Sequence, residues 1–341
     1  MTVDGNNPIR YIRKLPLVNF LLAAILGFVL RYFVIHPFAN FDYLDWLETH
    51  SHVMFLGWAT MALFYFILKK LKGNISNLTF LALILFEITV LALFVSFPSG
   101  GYGSWSVMLL SLNMAAGIIL LIIIYRRSRG EKNIGWKYIR SGLFFMAFSA
   151  LGPLTLGPVI ALGYRSSVWY NLLIYFYLHF QYNGWFFMAL AGLYLLQAEM
   201  QEEKNRRFLE LGRKIYILSI ILTYPLSLLN QGYSPVLNVL GGMGAIAQIT
   251  FTVLFILRLV RPAGNTTPEM KARVNILLLI AILVLLVKQV LQVLSSLPSL
   301  AEYAFSNRNI IIAYLHLVLI GFVSFGIFYE YSREMEVKIN Q

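Results

Sequence analysis

Five histidines are the residues of this chain best suited to chemistry: His36, His50, His52, His179 and His316. Three of them begin one short pattern, which is His, four residues, Gly and then a large aromatic residue. The copies are segments 52–58, 179–185 and 316–322. Because neutral imidazole is a common ligand for haem iron, copper and zinc, the pattern makes His52, His179 and His316 candidate cofactor or metal ligands.

A structural role for each histidine stays open as well. A lone histidine in a helix can hydrogen-bond to a neighbouring helix, and glycine beside an aromatic residue is common at helix contacts. On a regular helix the glycine is rotated by about 140° from its histidine, so it would admit a neighbouring helix or a flat macrocycle rather than lie under the ligand. Three copies at similar depth favour a cofactor over packing.

His50 and His52 stand two residues apart. On a regular helix such residues point about 200° away from each other, so both cannot bind one metal ion. We expect His52 to be the ligand because Gly57 follows it. His50 is then a metal ligand at another site, a propionate partner or an outer-surface residue, and His36 is an interfacial residue.

The elements that must position these residues are membrane spans. Hydrophobic residues make up 59% of the 341 residues and charged residues only 12%, where a soluble domain has about a quarter charged; the mean hydropathy is +0.72. We therefore predict an all-α polytopic membrane bundle of about ten transmembrane helices, a single transmembrane domain over 1–341. The expected spans are 15–37, 45–68, 77–97, 105–125, 139–163, 168–197, 212–230, 235–259, 273–295 and 309–330.

Lysines and arginines predict the orientation. With the amino terminus in the cytoplasm, all of the 27 basic residues lie in or next to inside segments except Arg31, Arg165, Lys288 and Arg308. Basic residues favour the cytoplasmic side, which predicts both termini inside, in a bacterial inner membrane. The same rule accounts for the net charge of +12 without a nucleic-acid partner. The chain has no cysteine, which excludes disulfides, iron–sulfur ligation and covalent haem attachment.

Two segments carry a family resemblance. Segment 50–58, His-Ser-His-Val-Met-Phe-Leu-Gly-Trp, resembles the His-x-His-x-Met start of NnrS-like haem- and copper-containing membrane proteins. Segment 316–321, His-Leu-Val-Leu-Ile-Gly, is similar to the tenth-helix motif of haem–copper oxidase subunit I. That superfamily has three four-helix arcs, with ligand histidines on helices two, six and ten among others.

The resemblance implies a pseudo-threefold bundle that binds haem b and handles nitric oxide or oxygen or carries out redox chemistry. By analogy, His52 and His316 are the axial pair of the haem. His179 is an open-site or single-copper ligand, and copper is the possible second cofactor. Arg165 and Arg308 are the cationic partners for haem propionates. A quinol or a redox protein is the implied partner.

The resemblance is incomplete. Span seven has no histidine, where the oxidases have two adjacent copper ligands, and Tyr314 stands where a second helix-ten histidine would be. Asn183 replaces the tyrosine four residues after the helix-six histidine. These departures leave it open whether the chain is an enzyme related to oxidases or nitric oxide reductases.

The sequence leaves alternative functions open. The alternative function is a histidine-dependent transporter or channel for protons or metal ions, and the Gly-Pro pairs at 152–153 and 157–158 predict a transporter-like kink in span five. An intramembrane metal hydrolase would need Glu48 or Glu87. Glu87 is either a proton relay or quinol-binding acid, or a hydrogen-bond partner of a neighbouring helix. Lys288 is expected to extend towards the membrane surface.

Overall fold

The computed structural model describes residues 9–164, 167–198, 203–231, 234–260 and 276–339. Within these ranges the secondary structure is helical, with no strand. Ten long helices of the described residues, four of them built from two or three consecutive helical segments, are named here in chain order. They are α1 (Leu15–Ile35), α2 (Tyr43–Lys70), α3 (Asn77–Gly100), α4 (Ser104–Ser128), α5 (Ile134–Ser149 and Leu151–Ala161), α6 (Val168–His179, Phe180–Phe186 and Phe187–Gln197), α7 (Glu203–Thr223), α8 (Pro235–Val260), α9 (Ile276–Leu294) and α10 (Arg308–His316, Leu317–Ser324 and Phe325–Ile339). Three short helices, Ile9–Ile12, Tyr224–Gln231 and Pro298–Ser306, stand between them.

Nine of the described helices are long and apolar enough to cross a membrane. The chain is therefore an integral membrane protein, as predicted. The predicted span that is missing from these nine is the sixth along the chain, which corresponds to α6. It carries no charged residue, but tyrosines, His179, Gln181 and Asn183 lower its mean hydropathy. The count of ten therefore stays a prediction.

The helices belong to two compact units, residues 1–131 and 132–341. The first unit holds α1 to α4, where α3 packs along α4 and α1 along α2. The second unit holds α5 to α10, where α5 packs on α6 and α7 on α8. The prediction of one membrane domain over the whole chain stays a prediction.

Polar residues in the short loops start several of these helices. The Asp42 carboxylate accepts hydrogen bonds from the amides of Leu44 and Asp45, at 2.9 and 3.2 Å. Asn307 does the same for the Asn309 amide at 3.0 Å, directly before the last histidine-bearing helix. Such caps satisfy amides that have no partner within the helix, and they fix where α2 and α10 begin.

The predicted break in span five is confirmed. Helix α5 stops at Ser149 and resumes at Leu151. Pro153 has no amide hydrogen to continue the ladder. Gly152 lies where a Cβ atom would come within 2.8 Å of the Leu173 carbonyl oxygen, so the broken turn lets the backbone of α6 approach closely.

Each of the three patterned histidines is followed directly by a π-helical segment. These segments are Val53–Thr60 after His52, Phe180–Phe186 after His179 and Leu317–Ser324 after His316. The i→i+5 hydrogen bonds of a π-helix place the glycine, five residues after the histidine, about one turn further along. The expectation of a regular helix with the glycine rotated by about 140° is therefore wrong, because the wider turn changes the register.

The three glycines serve one kind of contact. An added Cβ would lie 2.8 Å from Asn19 Cγ at Gly57, 2.5 Å from Phe145 Cβ at Gly184 and 2.7 Å from Val284 Cγ1 at Gly321. In each case the contacted residue lies on the preceding helix, 37 to 39 positions earlier in the chain. The same helical hairpin, with the first helix packed on the π segment of the second, thus occurs three times: α1–α2, α5–α6 and α9–α10.

Candidate haem-ligand histidines

The His52 ring is held by its own helix. Nδ1 lies 2.8 Å from the Glu48 carbonyl oxygen, four residues earlier. A carbonyl oxygen only accepts, so Nδ1 carries the hydrogen and Nε2 carries the lone pair. The ring centroid lies 4.7 Å from that of Phe97 on α3, and the Tyr102 hydroxyl stands 3.5 Å from Nε2. The side chain is only partly buried.

His316 repeats this geometry in the second unit. Nδ1 lies 2.8 Å from the Ile312 carbonyl oxygen, again four residues earlier. Nε2 therefore carries the lone pair here too. The side chain is exposed on the surface of α10. Histidines that bind metal nearly always donate their other ring hydrogen to a carbonyl or carboxylate, so both rings have the tautomer that an iron ligand requires.

His179 differs from both. It is only 1% exposed, and Nε2 lies 2.8 Å from the Ile220 carbonyl oxygen on α7. The hydrogen therefore sits on Nε2. Nδ1 has two close partners at 3.2 Å, the Ser227 hydroxyl and the Asn183 amide nitrogen. A metal ion at His179 would have to displace one of these bonds, so the proposed copper or open-site role has no support from the ring's surroundings.

Lys288 is buried, so the prediction that it extends to the membrane surface is wrong. It is 2% exposed, and its ammonium donates to the side-chain oxygens of Asn183 and Gln292. The ammonium also stands 5.8 Å from the centre of the Tyr182 ring. Because lysine has only donors, it fixes the Asn183 oxygen towards itself and the Asn183 nitrogen towards His179. Sequence reasoning identified Lys288 but missed its burial, although Gln292, one turn further along α9, marks the same polar face.

His50 packs against α1. Its Nδ1 lies 2.8 Å from the Ala23 carbonyl oxygen, and the ring covers Gly27, where an added Cβ would meet its Cε1 at 3.1 Å. His52 lies instead against Phe97 of α3. The two histidines contact different helices, as their spacing predicted, and they do not come together on one metal ion.

Of the two arginines predicted to pair with haem propionates, only Arg308 is among the described residues. Arg308 is exposed at the start of α10, eight residues before His316, or about 12 Å along the helix axis. Arg165 lies outside the described residues.

Glu87 is a buried partner of a neighbouring helix. Its Oε1 accepts a hydrogen bond of 2.8 Å from the Asn19 side chain. The same Asn19 nitrogen donates to the Gly57 carbonyl oxygen at 3.1 Å. The hydrogen-bonding role foreseen for Glu87 is thus present, and it ties α3 to the π segment of α2 through α1.

Neither the described side chains nor comparison with known proteins adds a further candidate site. Across the described residues, no group of three or more His, Asp or Glu side chains is placed to hold a metal ion. The chain matches no protein family, no curated protein and no solved structure. The histidine geometry therefore carries the functional argument.

Proposed function

We propose that this chain is a haem-binding membrane protein in which His52 and His316 are iron ligands. The observation that carries the proposal is the matched hydrogen bond of the two rings, from Nδ1 to the carbonyl oxygen four residues earlier, at 2.8 Å in both. Nδ1 is thus fixed as a donor in both rings, and Nε2 keeps its lone pair. The third patterned histidine has the opposite tautomer, so this geometry is not common to every histidine in a span.

The local backbone supports the same proposal. A π segment follows each of the two ligand histidines, and π turns occur frequently at functional sites. Gly57 and Gly321 let a neighbouring helix pack closely one turn below, which stiffens the helix that holds each ring. Haem iron held by these histidines would supply redox or gas-binding chemistry. The protein's part is to hold each ring in one tautomer and one orientation.

The finer parts of the proposal rest on the sequence. The repeated hairpin supports a pseudo-threefold bundle like that of haem–copper oxidase subunit I, and the motifs support an NnrS-like relationship. The bias of basic residues supports an orientation with both termini in the cytoplasm, and a bacterial inner membrane stays a prediction. That the two histidines form the axial pair of one haem, and that copper or a quinol also binds, stay predictions.

Haem content of single variants tests the proposal. We expect His52→Ala and His316→Ala, purified as full-length protein from cells supplied with haem, to lose haem or to change its absorption bands. His36→Ala is the matched control, because His36 is an exposed histidine that ends α1 and should keep the wild-type spectrum. Equal spectra in all four proteins would contradict the assignment. A wild type without haem would instead favour transport of protons or metal ions.

A further inference from the structure

Lys288 is a buried lysine whose contacts are all neutral groups. Its ammonium meets the side-chain oxygens of Asn183 and Gln292 and the face of Tyr182. The amide nitrogen of Asn183 donates to Nδ1 of His179, while Nε2 of His179 donates to the Ile220 carbonyl oxygen, so that imidazole is neutral. A charged side chain within a membrane span is costly and is normally paired.

The groups around Lys288 include no carboxylate among the described residues. Helix α6 contributes His179, Tyr182 and Asn183, the short helix 224–231 contributes Ser227, and α10 contributes Tyr314 beside Tyr182. Elsewhere in the second unit, Glu210 is bound by Lys137 and Arg213, and Glu330 accepts two hydrogen bonds from Gln197. These carboxylates are therefore engaged away from Lys288.

The cluster also holds hydrogen-bond donors that lack an acceptor. An ammonium has three donors, and Lys288 uses two of them on protein oxygens. Gln292, which is 6% exposed, turns its oxygen to Lys288 and leaves its Nε2 buried without a partner. Lys288 and Gln292 lie one turn apart on the same face of α9. Positive charge and surplus donors at one buried point are what a small anion requires.

We propose that Lys288 and Gln292 form a binding site for a small monovalent anion of about the size of chloride. The anion would accept the third ammonium hydrogen and a hydrogen of the Gln292 amide, and it would neutralise the buried charge. A water molecule could satisfy the donors but not the charge. The site involves neither His52 nor His316, so it is independent of haem binding.

Equilibrium dialysis with radioactive chloride tests the site directly. Full-length protein purified in detergent without chloride should bind one chloride per chain, and Lys288→Met should weaken binding by at least about tenfold. Lys72→Met is the matched control, because it removes the same charge from a side chain that is 86% exposed, and it should bind like the wild type. No binding by the wild type, or equal binding by all three proteins, would overturn the proposal.

A second variant covers the case in which Lys288→Met fails to fold. Gln292→Glu keeps the shape of the side chain and places a carboxylate beside the ammonium, where it replaces the anion. Its thermal unfolding should not respond to chloride, whereas the unfolding temperature of the wild type should rise with chloride concentration, since a ligand stabilises the state that binds it. A chloride response in Gln292→Glu equal to that of the wild type would overturn the assignment of the site to these two residues.

Discussion

At the scale of single residues, the three patterned histidines divide into two kinds, according to which ring nitrogen donates a hydrogen bond to a backbone carbonyl oxygen. His52 and His316 are oriented by the turn of helix that precedes them. His179 is oriented by another helix and by an amide that Lys288 fixes. In His52 and His316 the local hydrogen bond engages only Nδ1, and Nε2 of His52 faces the Tyr102 hydroxyl at 3.5 Å. A partner outside its own helix turn instead holds Nε2 of His179. Identical sequence patterns therefore have two different hydrogen-bond arrangements, and we propose ligand binding for two copies and packing for the third.

Replacing Asn183 tests the structural role of His179. We expect Asn183→Leu to lower the free energy of unfolding by about 2 kcal/mol, because it removes a hydrogen bond to a buried cation and one to His179. Thermal or denaturant unfolding in detergent measures the change. Asn77→Leu, at an exposed position of α3, is the control and should unfold like the wild type.

Haem content of the same Asn183→Leu protein separates two roles for His179. If His179 only packs, the folded variant keeps the haem spectrum of the wild type. A folded variant that has lost gas binding at an unchanged haem content would instead assign His179 to an open site.

At the scale of elements, the π segment and its glycine form the repeated feature. Gly57, Gly184 and Gly321 each meet the preceding helix at a distance too short for a Cβ atom. Two of the contacted side chains, Asn19 and Phe145, are fully buried, and Val284 is half-buried. The glycines are thus needed for close helix packing, and the π turn sets which residue faces the neighbouring helix.

Alanine at these glycines should destabilise the fold. We expect Gly184→Ala to cost about 1–3 kcal/mol, as overpacking does, since the new carbon would lie 2.5 Å from Phe145 Cβ. Gly57→Ala and Gly321→Ala should act in the same direction. Gly157→Ala is the control, because nothing lies within 4 Å of its added carbon, and it should keep or raise stability by up to about 1 kcal/mol. Equal unfolding temperatures for Gly157→Ala and Gly184→Ala would argue against the packing role.

Much of the helical arrangement could be predicted from the sequence. Apolar runs of about 20 residues locate the spans, and Gly152-Pro153 locates the break in α5. The π turns could not be predicted, because the same residues would form regular α-helices and only packing on the preceding helix selects the wider turn. The predicted surface position of Lys288 was wrong for a related reason. A long side chain near a span end can reach the surface. The amide oxygens that hold Lys288 inward lie on α6 and one turn further along α9, and their positions depend on the tertiary fold.

At the scale of the whole molecule, the chain is a helical integral membrane protein whose chemistry is confined to a few polar side chains in apolar helices. In the described helices, buried polar residues such as Asn19, Glu87, Asn183 and Lys288 are joined by hydrogen bonds within their own unit. The basic residues cluster in loops on one predicted side, so charge distribution and helix count together predict the topology.

Reporter fusions test that topology. A reporter in the 101–103 loop, between α3 and α4, should lie outside the cytoplasm. A reporter in the 129–133 loop, between α4 and α5, should lie inside, because this loop and its flanks carry Arg126, Arg127, Arg129 and Lys132. Since only α4 separates the two loops, reporters on the same side would show that α4 does not span and that the predicted orientation is wrong.

The most direct test of the central claim is the reduced-minus-oxidised absorption spectrum of the purified full-length protein, with haem measured per chain on the same sample. We expect the bands of a b-type haem, because a chain without cysteine cannot attach haem covalently, and at least one haem per chain. A featureless spectrum from folded protein produced with ample haem would contradict it.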